Sequence, residues 1–126
     1  MVRYGYNAQF TPPAPLVHVT VRSPNLTKEV PDFPAQLDTA ADRSVIPQHI
    51  ADDLALPQAG QIALVGLGGH LTTTPLFLVQ LEVRQLSPLL VVVAASTAEP
   101  LILLGRDVLN QFKILLDGPG LALEMG

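Results

Sequence analysis

One short segment of the sequence combines an acidic residue with small neighbours: Asp38-Thr39-Ala40-Ala41-Asp42. A threonine beside the acid can hold a loop rigid through a hydrogen bond. The alanines allow a substrate backbone or a second subunit to come close. Two carboxylates that share a proton can hydrolyse a carbonyl compound, because the charged one activates water and the neutral one donates to the carbonyl oxygen. The alternative is that Asp38 only caps a turn, as many loop aspartates do.

A second segment places a charged pair directly after an apolar run: Leu103-Leu104-Gly105-Arg106-Asp107-Val108-Leu109. An unpaired arginine next to a core is costly, so Arg106 needs an acidic partner unless its side chain is solvated. Asp42 is the candidate, since a bidentate Arg106–Asp42 pair would lock the acid segment against a helix that begins here. From the spacing alone, this pair and a solvated Arg106 at a helix start are equally supported.

Between these segments lies a glycine-rich stretch, Gly66-Leu67-Gly68-Gly69. Residues 62–65 before it and 71–74 after it both have strand-like composition. The pattern predicts a β-hairpin with a flexible glycine tip.

The elements that must position these segments are short strands. Twelve prolines and nine glycines among 126 residues favour strands and tight turns. Alternation or continuous apolar character predicts strands in residues 17–22, 33–37, 77–83, 89–95 (fully buried) and 101–104, the start of a returning strand in residues 27–30, and a terminal hairpin in residues 114–116 and 121–125. The whole indicates an all-β sandwich or barrel.

Two short helices complete this prediction. Pro47 is expected in the first turn of a helix that runs to about Leu56, with Ile50, Leu54 and Ala55 on its apolar side. Residues 108–112 fit a second short helix or turn. Residues 1–16 are expected to form an extended N-terminal arm, and residues 17–126 one domain.

Composition excludes several classes of function. The chain has no cysteine, and its three histidines have no metal-ligand spacing. A net charge of −4 without a basic cluster makes nucleic acid and membrane surfaces poor partners. No signal peptide is visible, so a cytoplasmic location is expected. Apolar residues make up 48% and charged residues only 14%, which hints at an extra buried face such as a subunit contact.

The motifs, taken together, resemble those of retropepsin-like aspartic proteases. The acid segment, followed by Ser44-Val45-Ile46, is similar to their active-site loop, and the Leu-Gly-Arg-Asp segment is similar to their second signature. The glycine stretch falls where their flap lies. The resemblance covers residues 33–118, and two motifs in order with the right spacing are more specific than either alone.

The resemblance implies a small closed β-barrel of the retropepsin type with one or two short helices, acting as a two-fold homodimer. Asp38 is then the catalytic aspartate, with Thr39 and Ala40 in the same loop, and Thr39 grips the loop of the partner subunit. Substrate and flap positions follow from the same likeness: Ala41, Asp42, Gly66, Leu67, Gly68 and Gly69. Arg106 and Asp42 match positions that pair within each subunit, which favours that interpretation of Arg106.

The chain contains a single Asp-Thr loop, so one copy supplies half of a catalytic dyad. A symmetric homodimer would place Asp38 and its counterpart together at the axis. Carboxylates about 3 Å apart cannot both ionise easily, so activity is expected at mildly acidic to neutral pH. Both termini build the interface in retroviral members, and here residues 121–125 or the N-terminal arm are expected to do so.

The predicted function is therefore aspartic endopeptidase activity on peptides or proteins, with no metal and no organic cofactor. One departure is Ala40, where the family usually has glycine; if the loop needs a positive φ there, the methyl group costs roughly 1 kcal/mol. The alternative is a catalytically inactive module of the same fold that only dimerises or binds peptides. A more distant alternative is an unrelated β-domain with coincidental motifs.

Overall fold

The computed structural model describes residues 1–65 and 67–126, which form ten strands and two short helices. In chain order the elements are β1 (Val2–Gly5), β2 (Leu16–Arg22), β3 (Glu29–Leu37), β4 (Val45–Pro47), α1 (Gln48–Asp53), β5 (Gly60–Val65), β6 (Leu71–Val83), β7 (Leu89–Ser96), β8 (Ile102–Leu104), α2 (Arg106–Leu109), β9 (Ile114–Asp117) and β10 (Ala122–Met125). A 3₁₀ turn, Leu67–Gly69, follows β5.

Six of the strands close into a barrel. Their order is β2-β3-β8-β4-β7-β6, and β6 also pairs with β2 through a register that runs from Val19↔Val83 to Arg22↔Gln80. The strand β5 lies outside the closed ring and pairs with the first half of β6. Closure gives each of these six strands a neighbour on both sides. The predicted all-β fold with two short helices is confirmed.

The barrel core follows the alternation in the sequence. Val17, Val19 and Val21 on β2 are fully buried, and every second residue of β6 from Phe77 to Val83 is buried as well. Because side chains alternate between the two faces of a strand, one set points into the barrel and the other faces outward. The intervening Gln80 and Glu82 are half-buried and both contact Arg22 on the neighbouring strand.

Two of the predicted strands differ in detail. Residues 71–74 and 77–83 form one continuous strand of 13 residues, whose first half pairs with β5 and whose second half lies in the barrel. In β7, Val93, Ala94 and Ala95 are buried, but Leu90 is 65% exposed. An unbroken apolar run therefore did not mean burial along the whole strand.

Both helices are displaced from their predicted bounds. Pro47 is the last residue of β4, paired with Ser96, and it precedes α1 instead of lying inside it. The helix ends at Asp53. Ala55, predicted on the apolar side, lies beyond it with a left-handed φ of 50° and is exposed. Ala51 is buried in the core instead. The second helix begins at Arg106, two residues before its predicted start.

A separate small sheet has the order β1-β10-β9. The strand β10 is central, and its register joins Tyr4↔Leu123 on one side and Leu123↔Leu116 on the other. Tyr4 packs against the barrel core, its hydroxyl donates to the Arg84 carbonyl at 3.4 Å, and burial raises the pKa of its phenol. The division into an arm of residues 1–16 and a domain of residues 17–126 stays a prediction.

Neither helix in residues 1–65 and 67–126 has the length and apolar character needed to cross a membrane.

Replacement of Ile102 tests the packing of the barrel. Its side chain is fully buried on β8, beside Ala35 of β3. We expect Ile102→Ala to lower the free energy of unfolding by about 2–5 kcal/mol, because it removes buried methyl groups and leaves a cavity. Urea denaturation measures this change. The control Leu90→Ala removes an exposed side chain and should change stability by no more than about 0.5 kcal/mol; equal losses in both variants would contradict the packing described here.

Candidate active site

Asp38 lies directly after β3, where the strand ladder with β8 continues by one hydrogen bond. Its N–H donates to the Leu104 carbonyl at 2.9 Å. Two further bonds close a tight turn: the Ala40 N–H donates to Asp38 Oδ1 at 3.1 Å, and the Ala41 N–H donates to the Asp38 carbonyl at 3.2 Å. The half-buried carboxylate is thus oriented by its own loop, and its Oδ2 has no protein donor within the described chain.

Arg106 ties this loop to α2, but not through the predicted partner. Its N–H donates to the Ala41 carbonyl at 2.9 Å and its Nη1 donates to the Thr39 carbonyl at 2.8 Å. No ion pair joins Arg106 to Asp42 in the described residues, and Asp42 is exposed. The predicted Arg106–Asp42 pair is therefore wrong. The guanidinium instead donates to a carbonyl inside the turn, while the Asp42 side chain is exposed.

A buried serine joins the acid loop to the second segment, a contact that the sequence did not predict. Ser44 is fully buried; its Oγ donates to Asp107 Oδ1 at 2.6 Å and accepts the Gly105 N–H at 2.9 Å. The Ser44 N–H lies 3.0 Å from Asp107 Oδ2 and 3.1 Å from Oδ1. Asp107 Oδ1 also accepts the Val108 N–H at 2.9 Å, at the start of α2. The clue available in the sequence was Ser44, which follows the acid segment, together with Asp107 within the second segment.

Gly105 allows the two segments to approach closely. A Cβ atom at this position would lie 2.8 Å from the carbonyl carbon of Arg43 and 3.0 Å from the Ala41 oxygen. Such distances are too short for a side-chain carbon, and both neighbours are backbone atoms. The glycine is therefore required because the acid loop approaches so closely. Its backbone conformation is not the reason, because it is extended with a φ of −87°, which any residue can adopt.

Ala40 occupies its position without backbone strain. The non-glycine residues with a positive φ in the described chain do not include it; they are Leu26, Asp32, Ala55, Gln85 and Leu121. Its side chain is also exposed. The cost expected from a methyl group at a left-handed position therefore does not arise here.

The predicted glycine hairpin forms between β5 and β6, with a register from Gly60↔Leu76 to Val65↔Leu71. Gly68 and Gly69 have φ values of 82° and 77°, a region that side-chain-bearing residues rarely adopt. Both are exposed. Of the other two predicted tip residues, Gly66 lies outside the described residues, and Leu67 belongs to the 3₁₀ turn.

The structure brings together the acid loop and residues 105–107. Three surface clefts are evident in the described parts of the chain, and neither Asp38 nor Thr39 lines any of them. One cleft is bordered by Asp42, Arg43 and Asp107 together with residues 90–92. The Asp38 side chain itself is half-buried, so part of it is exposed in the single chain.

The described residues contain no group of three or more His, Asp and Glu side chains placed to hold a metal ion. The chemistry available at this loop is that of a carboxylate held in a fixed orientation. Such a group can accept a proton from water or share one with a second carboxylate.

Comparison with known proteins agrees with this geometry. The sequence model of the family described as retroviral aspartyl protease matches residues 11–117. The resemblance inferred from the motifs is thereby confirmed. No curated protein sequence matches the chain.

Two solved structures are similar in fold. The EIAV protease complexed with the inhibitor HBY-793 is 22% identical, over 86% of this chain and 93% of that one, with a TM-score of 0.58. A retropepsin-like aspartic protease from Rickettsia conorii is 14% identical, over 98% of this chain and 89% of that one, with a TM-score of 0.63. At these identities the likeness shows the fold alone.

Replacement of Ser44 tests the attachment of the acid loop. We expect Ser44→Ala to lower the free energy of unfolding by about 1–3 kcal/mol, because the buried Gly105 N–H loses its acceptor and Asp107 loses a donor. Chemical denaturation measures the loss. Ser96→Ala is the matched control, since the Ser96 hydroxyl accepts only the Ala98 N–H in an exposed turn. A Ser44→Ala protein as stable as the control would show that the loop is held by other contacts.

Replacement of Ala40 tests whether its methyl group is strained. Because Ala40 has no positive φ, Ala40→Gly should relieve nothing and should destabilise the protein by about 0.5–1 kcal/mol through greater freedom of the unfolded chain. Thermal and urea unfolding measure the difference. A more stable Ala40→Gly protein would contradict the backbone geometry described for this loop.

Proposed function

The chain belongs to the retroviral aspartyl protease family, and on that basis we propose that it is an aspartic endopeptidase active as a homodimer. The observation that carries the proposal is the position of Asp38 at the end of β3, oriented by the Ala40 N–H and anchored to the Leu104 carbonyl. A carboxylate held in this way needs little reorganisation when its charge is used in a reaction.

The homodimer is required by the chemistry. Hydrolysis by this mechanism uses two carboxylates in different protonation states, and each chain contains one Asp-Thr loop. Two copies related by a two-fold axis would supply both carboxylates with a single loop sequence. Asp38 is half-buried in the single chain, and its exposed part is the part that a second loop would cover.

In the proposed mechanism, a water molecule lies between the paired Asp38 carboxylates. The ionised carboxylate takes a proton from the water while the water oxygen attacks the peptide carbonyl carbon. The protonated carboxyl group donates its proton to the carbonyl oxygen. The tetrahedral intermediate then breaks its C–N bond as a proton passes to the leaving nitrogen. The same pair of carboxylates thus serves both steps without another cofactor.

The substrate is proposed to bind as an extended strand beneath the β5–β6 hairpin, which would act as the flap. The exposed glycines Gly68 and Gly69 support this role, because their positive φ values give the tip a backbone form that other residues rarely take. Ala41, which is half-buried, and Asp42, which is exposed, follow Asp38 in the loop and are the proposed substrate contacts. Thr39, also exposed, is proposed to contact the partner loop.

Asp38→Asn is the direct test of this function. An amide cannot take a proton from water, so cleavage of a mixed peptide library between pH 4 and pH 7 should fall by about 10²–10⁴-fold. Mass spectrometry of the products measures the rate and the cleavage positions together. Asp52→Asn, on the exposed face of α1, removes the same charge and should leave cleavage unchanged.

Two outcomes would contradict the proposal. Cleavage that persists in Asp38→Asn would come from another group or a contaminant. A native chain that is dimeric and binds peptides but leaves them intact would instead be the inactive module of the same fold.

A further inference from the structure

The strand β7 is paired along only half of one edge. Its edge toward β6 is paired from Leu89 to Ala94. Its edge toward β4 is paired only from Ala94 to Ser96, because β4 is three residues long. In the described chain no strand lies beside residues 89–93 on this second edge. The barrel therefore has a short opening beside residues 89–93, which we call the β7 gap.

Two interactions show which backbone groups of β7 face the gap. The Ala94 N–H donates to the Ser44 carbonyl at 3.1 Å, and the Val92 carbonyl accepts a hydrogen bond from Arg43 Nη1 at 3.1 Å. Backbone groups of every second residue point to the same side of a strand. The Val92 N–H and both backbone groups of Leu90 therefore face the gap, where no described strand pairs with them. These three groups are available to an extended peptide.

Arg43 borders the β7 gap with a cation that has no ion-pair partner. Its side chain is half-buried, and its Nε and Nη2 make no hydrogen bond within residues 1–65 and 67–126. Arg3, Arg22 and Arg84 each pair with a carboxylate, whereas none lies within ion-pair distance of Arg43 in the described chain. Partial burial of a charge is unfavourable unless a counter-charge offsets it. The free donors of Arg43 therefore suit an anion from another molecule.

A surface cleft of about 360 Å³ lies at the β7 gap. It is lined by Asp42, Arg43, Asp107 and residues 90–92. The Leu90 side chain is 65% exposed and gives the cleft an apolar wall. The oxygens of Asp107 already accept hydrogen bonds from Ser44 and from the Val108 N–H, so Asp42 is the exposed negative group. The cleft thus combines open backbone groups, an apolar surface and a guanidinium.

We propose that the β7 gap binds the C-terminal end of an extended peptide, whose terminal carboxylate pairs with Arg43. The peptide backbone bonds to the open groups of Leu90 and Val92, and its last side chain, which is apolar, packs on Leu90. Addition of a strand to an open sheet edge and capture of a terminal carboxylate are both known ways to bind peptides. This binding site is independent of the proposed protease function.

The direction of β4 explains why the peptide ends at Arg43. The strand β4 runs parallel to β7, and the Arg43 side chain crosses the line of β4 to reach the Val92 carbonyl. A peptide that lies beside Leu90 and runs in the same direction as β4 therefore meets Arg43 with its C-terminal end. An interior segment would have to turn away at this point, whereas a chain end stops. A terminal carboxylate also presents two oxygens to the forked donors of a guanidinium.

The gap admits only a short tail. Pro88 directly precedes β7 and has no N–H, so the open backbone groups end at Leu90. Two residues of an extended peptide are enough to use the three groups. Asp42, exposed at the rim, repels further negative charge. The preferred tail is therefore apolar, with the terminal carboxylate as its only charge.

Nuclear magnetic resonance of the isotope-labelled chain tests both the site and the ligand. The probe is the peptide acetyl-Gly-Ser-Val-Leu with a free carboxylate, and the matched control is the same peptide with a C-terminal amide. The amide signals of Leu90 and Val92 should shift during titration with the acid. The amide control should bind at least about tenfold more weakly, because hydrogen bonds between charged groups contribute more than neutral ones.

Replacement of Arg43 identifies the group that binds the carboxylate. Arg43→Gln can still donate to the Val92 carbonyl but has no charge, so it should bind the acid peptide at least about tenfold more weakly. Arg43→Lys keeps the charge without the forked donors and should bind with intermediate affinity. Arg3→Gln is the matched control, because it removes an exposed arginine on β1, and it should leave binding unchanged. Asp42→Asn should bind about two- to fivefold more tightly, since a repelling charge is removed.

Circular dichroism and the amide spectrum of each free variant show whether its fold is intact. Equal binding of the acid and amide peptides by the native chain overturns the carboxylate site, and this comparison needs no variant. Signal shifts that occur only outside residues 89–93 and Arg43 overturn its location. The peptide acetyl-Gly-Ser-Val-Glu with a C-terminal amide carries its carboxylate on a side chain, and equal binding of this peptide overturns recognition of a chain end.

These results are separable from the test of the proposed function. A chain that binds the acid peptide at the β7 gap and cleaves no peptide supports the gap site and contradicts only the protease proposal. A chain that cleaves peptides through Asp38 but shows no shift of Leu90 or Val92 with the acid peptide overturns the gap site and leaves the protease proposal standing.

Discussion

Ser44 holds the acid loop to the second motif from inside the protein. Its hydroxyl lies between the Asp107 carboxylate and the Gly105 N–H, at 2.6 and 2.9 Å, and its own carbonyl accepts the Ala94 N–H from β7. A buried hydrogen-bond network of this kind is costly to leave half-satisfied, so its members must stay together. This attachment acts together with the bonds from Arg106 to the Thr39 and Ala41 carbonyls and from the Asp38 N–H to the Leu104 carbonyl. The surrounding barrel keeps the loop rigid. Gly105 has no side chain, which allows the acid loop and the second segment to approach closely.

One chain contains both the acid loop and the hairpin of the proposed active site. Asp38 is oriented by its own loop, that loop is anchored to the second motif, and the hairpin is formed. In the small sheet, β10 is paired on both sides, whereas β9 has one open edge with exposed leucines in the described chain. The proposed homodimer would complete the carboxylate pair at the loop. The low content of charged residues, 14%, is consistent with such a buried face.

Local pattern predicted most of the barrel. Alternation in β2 and in the second half of β6 identified the inward-facing residues, since the two faces of a strand differ every second residue. Pattern failed where a distant segment decides burial. Leu90 is apolar yet exposed, and residues 71–83 continue through Pro75 as one strand, because β5 pairs with its outer half. Pro47 similarly belongs to β4 through its pairing with Ser96 and not to the helix that follows.

The sequence by itself determined the family, the candidate residue Asp38 and the glycine tip, because motif residues can be recognised without coordinates. The tertiary structure decided which atoms hold the site. Arg106 bonds to the Thr39 carbonyl instead of Asp42, and Ser44 bonds to Asp107 across 63 positions. These choices depend on distance, direction and hydration between segments far apart in the chain. Residue type alone tells which charges and hydrogen-bond donors are available. The fold then decides which of these groups come within hydrogen-bonding distance of each other.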